Sequence, residues 1–213
     1  MPFINGAIPP SRTFDPVAAR WTSLDGPHSS RYVLMVLLWV CSFLLVAIAL
    51  FLRAAPMLRA IFREHLWTLP CFLAVLLALV PAHELIHALA YGCGLRSPNL
   101  IAGVWPKRGI AYVIYDTPLP RQRVLRMLVA PFLVLSVAPL FAAPFLSGPS
   151  LILLAFFSLL HAALCAGDAV TVLRLLRLTP PGAMIHNDGW DTYWGPSPSS
   201  TPPSAWRGTR RSA

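Results

Sequence analysis

Apolar residues fall into four long runs separated by short polar segments. A helix that crosses the hydrocarbon of a bilayer needs roughly 20 predominantly apolar residues. Runs at about 32–52, 67–91, 124–146 and 150–178 meet that length. The pattern therefore predicts an all-α membrane protein of about four transmembrane helices, the last two adjoining as a helical hairpin. Composition points the same way, because 56% of the 213 residues are hydrophobic, only 12% are charged, and the mean hydropathy is +0.64. An ordinary soluble domain is far less apolar.

The polar segments sort into three kinds. Residues 1–31 contain no apolar core of the sort a cleavable signal peptide needs, so they read as a polar N-terminal arm ahead of a retained first helix. Residues 99–117, "NLIAGVWPKRGIAYVIYDT", hold two short β-prone runs around the turn-like "PKRG" and predict a hairpin between the second and third helices. Such a hairpin would leave a strand edge on which an extended peptide could pair; the alternative is a plain interfacial loop anchored by Trp105, Tyr112 and Tyr115. The segment 195–213 is rich in Pro and Ser without apolar periodicity and reads as a disordered tail, leaving 32–194 as the membrane domain.

Charge sets the expected orientation, since Lys and Arg gather in cytoplasmic loops. Four spans place Arg12, Arg20, Arg31, Arg96, Lys107, Arg121, Arg174 and Arg177 on one side with both termini, against Arg53, Arg59 and Arg63 on the other. Both termini are expected in the cytoplasm, with the bacterial cytoplasmic membrane as the location. The net charge of +9 then needs no nucleic-acid partner. Cys41, Cys71, Cys93 and Cys165 lack the close pairing of zinc ribbons or redox motifs and read as small packing residues.

Ionisable groups inside a span cost about 2.5 to 3.5 kcal/mol each on insertion scales, so each one asks for a reason. The second run carries His83, Glu84 and His87, and the fourth carries His161 and Asp168. Residues four apart share a helix face, so His83 and His87 can hold one small cation while Glu84 reaches a water beside it. This is the HExxH arrangement of zinc peptidases, in which the glutamate is the general base. A catalytic zinc site takes three protein ligands and keeps one position open. Counted from the expected cytoplasmic ends of their helices, His83, His87 and Asp168 lie within about one turn in depth, which makes Asp168 the candidate third ligand. His161 lies seven residues before Asp168, about 10 Å deeper on a straight helix, too far to share the ion and fit to orient a ligand or to pair in a helix interface. Asp116, His186, Asp188 and Asp191 are reserve ligands outside the bilayer. Pro81 can open the helical hydrogen-bond ladder near the site.

"HELIHAL", "PRQRVLRMLVAPF" and "HAALCAGDAV", with the hairpin-like insert between them, resemble the putative zincin peptidases of bacterial membranes. That family is similar in plan to the site-2 proteases, and the resemblance runs from about residue 67 to 191. It implies Zn2+ held by His83, His87 and Asp168, with Glu84 as base, acting on a membrane-embedded or membrane-adjacent peptide. The Asn-Pro-rich element that site-2 proteases carry before the ligand aspartate has no counterpart in "LLHAALCAGD". Two other readings stand beside this one. A membrane adaptor or chaperone would keep a structural metal without an open position, and a haem protein or metal transporter would set His83 or His87 against His161.

Overall fold

The computed structural model describes residues 1–24, 30–64, 66 and 68–196. Helix α1 runs Ser30–Glu64 and α2 runs Thr68–Ala90. The third helical segment starts as α3 at Arg121–Pro131, widens to a π turn over Phe132–Val137 and tightens to 3-10 geometry over Ala138–Phe145. Helix α4 spans Gly148–Leu164 and α5 spans Ala166–Leu178. Three of these segments, Ser30–Ile61, Leu69–Ala90 and Arg121–Phe145, are long and apolar enough to cross a membrane. The pair α4 and α5 qualifies as a fourth only when taken together, across a 52° bend. Large apolar side chains such as Leu37, Leu45, Leu77 and Phe141 lie exposed on the outer surface, as they do on helices surrounded by lipid.

Two of the expected helices differ from their prediction. Helix α1 continues three turns past residue 52 and through Pro56, because Ala54 and Leu58 beyond the apolar run are buried. Phe156 of α4 links the neighbours here, with its ring 5.3 Å from Phe51 of α1 and 6.0 Å from Phe72 of α2. The run 124–146 loses regular α geometry after Pro131, since Pro131, Pro139 and Pro144 lack the N–H that the ladder uses.

The polar segments form two small sheets, so the fold is mainly α and not all-α. Strands β1 (Phe3–Asn5), β3 (Leu100–Trp105) and β4 (Ile110–Tyr115) make one sheet, with β1 parallel to β3 and β3 antiparallel to β4. The hairpin expected at 99–117 is present, turning through Pro106–Arg108 onto Gly109, whose left-handed φ of 64° suits a residue without Cβ. The second sheet orders β2 (Thr22–Leu24), β7 (Asp191–Gly195), β6 (Met184–Asp188) and β5 (Leu119–Pro120).

The N-terminal arm is thus structural. Its strands β1 and β2 each complete a sheet begun elsewhere in the chain. Asp116 holds it between them by accepting from Ser11 Oγ at 2.7 Å and from the Arg12 amide at 3.2 Å, while the Thr13 hydroxyl donates to the Asp116 carbonyl. The Ser11 amide also donates to Asp188 Oδ1 at 2.8 Å. Strand β7 carries order through Gly195, and the tail expected to be disordered lies, from residue 197 onward, outside the described residues.

Between the sheets and the helices, Tyr91, Leu100, Met127, Leu175 and Ile185 form the main buried cluster. It joins the end of α2 to α3, α5 and both sheets, fixing the level at which the polar residues of α2 meet α5. The closest backbone approach in the first sheet is at Gly103, where an added Cβ would lie 2.5 Å from the Tyr112 ring and 2.6 Å from the Ile4 carbonyl. Gly103→Ala is expected to unseat β1 and destabilise the fold by about 1 to 3 kcal/mol. Thermal unfolding with limited proteolysis of the first 24 residues checks this; an unchanged Tm and protease pattern would contradict the seating of β1 on Gly103.

Candidate metal centre

Helix α2 is continuous through Pro81, so His83 and His87 stack on one face with ring centroids 4.6 Å apart. Their Nε2 atoms converge to 2.9 Å. Asp168, in the first turn of α5, brings Oδ2 to 3.2 Å from His83 Nε2 and 3.3 Å from His87 Nε2. Three donors on a zinc tetrahedron with bonds near 2.0–2.2 Å sit roughly 3.3 to 3.5 Å apart. The observed edges of 2.9, 3.2 and 3.3 Å match that triangle to within a few tenths of an ångström.

The protonation of His87 follows from its partner. Its Nδ1 lies 3.0 Å from the Met127 carbonyl, which can only accept, so Nδ1 carries a hydrogen and Nε2 is the nitrogen left to face His83 and Asp168. That carbonyl is available because the residue four further along α3 is Pro131, which has no N–H to return to it. A proline in one helix thereby selects the ring tautomer in another.

His83 is oriented through a different chain. Its Nδ1 is 3.1 Å from His161 Nε2, and His161 Nδ1 is 2.8 Å from Ser136 Oγ. His161 is fully buried, and Ser136 nearly so. The seven-residue offset from Asp168 does not remove His161 from the site, because the helix breaks at Cys165 and α4 brings the imidazole against His83. The break also leaves the Ala162 carbonyl to accept from the Trp39 indole at 2.7 Å. With His83 and His161 in hydrogen-bond contact, no gap for a porphyrin exists between them, which removes the haem reading for that pair.

Glu84 is half-buried beside the two histidines, on a helix packed against β4. Of the two edges of the hairpin, one is taken by another strand and one has no strand partner among the described residues. The outer edge of β3 is taken by β1, whereas β4 is the edge strand of its sheet and packs beside α2. Burial pushes the Tyr91 hydroxyl well above its usual range, which keeps it a neutral donor facing the Val113 carbonyl. The hairpin braces the HExxH helix.

Several residues of the site carried no signal in the sequence. Ser136 lies unmarked in an apolar run. Cys165 is buried with its thiol 3.7 Å from His161 Nδ1 and 4.0 Å from His83 Nδ1, so it is more than a remote packing residue. His83, His161 and Cys165 form a second group with metal-binding spacing, but it uses the His83 nitrogen turned away from Asp168. The i, i+4 relation of Cys165 to His161 was its only trace. Asp116 and Asp188 are committed to the N-terminal arm. His186 is buried edge-on against Phe14, and that burial lowers its pKa. None of these reserve residues joins the candidate metal group.

Beside Asp168 a cavity of about 210 Å3 opens among α1, α3 and α5, lined chiefly by Trp39, Leu128, Phe132, Val172 and Leu173. Its wall is almost wholly apolar.

No curated protein and no solved structure matches the chain. A family model described as putative zincin peptidase matches residues 76–184, just over half of the chain, from the middle of α2 to the start of β6. The matched span contains both histidines and the glutamate of the HExxH helix, the Met127 carbonyl, His161 and Asp168. The chain belongs to the putative zincin peptidase family.

Proposed function

We propose that the protein is a membrane-integral zinc peptidase that hydrolyses peptide bonds in or beside the bilayer, on a plan like that of site-2 proteases. The observation that carries this reading is the convergence of His83 Nε2, His87 Nε2 and Asp168 Oδ2 on one point, flanked by Glu84. In this reading the bent pair α4 and α5 is the fourth span and both termini face the cytoplasm. Those three residues hold the zinc, which supplies Lewis acidity to polarise a carbonyl and acidify water.

The chain's own groups do the rest. Glu84 accepts the proton of the attacking water and returns it to the leaving amine. With Nε2 of His83 turned to the ion, Nδ1–H donates to His161 Nε2, and His161 Nδ1–H donates to Ser136 Oγ, so the relay has one consistent set of hydrogens. The apolar cavity beside Asp168 accepts a large apolar side chain of a membrane-embedded or membrane-adjacent peptide and keeps bulk water out.

Elemental analysis of detergent-purified protein should find near-stoichiometric zinc, lost in His83→Ala and in Asp168→Ala. Glu84→Gln should retain the zinc and lower peptide hydrolysis at least about 100-fold. Absence of zinc from freshly purified, helical wild type would overturn the metal assignment, whereas unaltered hydrolysis by Glu84→Gln would overturn only the base.

The outer relay has its own consequence. His161→Ala should weaken zinc binding by about 10- to 100-fold in chelator competition, with Ser136→Ala less severe. Equal affinity in His161→Ala and wild type would show that His161 only packs.

A further inference from the structure

A groove of about 220 Å3 lies between the start of α1 and the last two turns of α5. Three arginines line it, Arg31 from α1 and Arg174 and Arg177 from α5, over a floor of Tyr32, Met35, Leu173 and Leu178. The groove is separate from the candidate metal centre and shares none of its donors. Its two elements meet where the Arg174 guanidinium lies 5.4 Å from the centroid of the Tyr32 ring.

Among the described residues, no carboxylate forms an ion pair with Arg31 or Arg177. Nor are these arginines needed to close α5, because Arg121 donates to the terminal carbonyls of Leu175 and Leu176. Arg31 is the second residue of the segment Ser30–Ile61, and Arg177 is next to last in Ala166–Leu178. With the bent pair taken as the fourth span, as proposed above, Arg31 and Arg177 sit where a span leaves hydrocarbon, at the level of lipid headgroups, with Arg174 one turn further in. Inward of Arg174, the exposed Leu173 offers apolar surface toward the acyl chains.

From this pairing of clustered guanidinium groups with an apolar floor at a span end, we propose that the groove binds an anionic phospholipid, its phosphodiester between Arg31 and Arg177 and an acyl chain along Met35 and Leu173. Guanidinium forks match phosphate oxygens two at a time, and basic pockets between membrane helices take anionic headgroups. The acyl contact distinguishes this ligand from free phosphate, which would use the arginines alone.

The test is native mass spectrometry of the full chain in detergent, titrated with dioleoyl phosphatidylglycerol or dioleoyl phosphatidylcholine. Wild type should bind the anionic lipid at least about tenfold more tightly. Arg31→Gln combined with Arg177→Gln should reduce that preference to below about twofold, while Arg59→Gln combined with Arg63→Gln, at the far end of α1, should leave it intact. Replacing Arg31 and Arg177 by Lys should retain part of the preference, since charge remains and the fork is lost. Millimolar inorganic phosphate should not displace the lipid. No preference in wild type, full preference in the Gln pair, loss in the Arg59 and Arg63 control, or displacement by phosphate would each overturn the site. None of these outcomes depends on zinc.

Discussion

Placing two imidazoles and a carboxylate inside an apolar helical bundle is the constraint around which this fold is arranged. Each group would be costly alone in hydrocarbon, where neither water nor a neighbouring polar chain compensates it. Their donor atoms converge to 2.9 to 3.3 Å, and in the proposed reading the cation they share is the partner of all three. The remaining ring nitrogens are then matched one by one. His87 Nδ1 finds the Met127 carbonyl, and His83 Nδ1 finds His161 and through it Ser136. Buried polar networks hold together only when every member is satisfied, so displacement of one partner is felt along the whole row.

The helical irregularities serve that same end. Pro131 removes an amide and frees the carbonyl that His87 uses. The break at Cys165 turns the chain by 52°, so one run supplies His161 to the back of His83 and Asp168 to its front. On a straight helix their separation of seven residues, about 10 Å of rise, would have kept one of them from the site.

Outside the helices, the two small sheets act as a brace. Strand β4 packs against α2, while the N-terminal arm closes one edge of each sheet and is pinned by Asp116 and Asp188. An arm without apolar periodicity owes its order to edges and carboxylates contributed by residues about a hundred or more positions away.

What the sequence determined by itself was local and periodic. The apolar runs marked where long helices lie, the turn residues of "PKRG" marked the hairpin, and the i, i+4 spacing put His83 and His87 on one face with Glu84 beside them. A depth count also brought Asp168 level with them. Tertiary structure alone decided the rest, because it depends on groups remote in sequence meeting in space. Only there do β1 and β2 find partner strands, does the outer edge of β3 become filled while that of β4 stays an edge, and does Ser136 join a relay through His161. Only there does a missing amide at Pro131 fix the hydrogen on His87. Hydrogen-bond satisfaction of buried groups is settled by three-dimensional proximity, and no local periodicity encodes which distant donor will meet which acceptor.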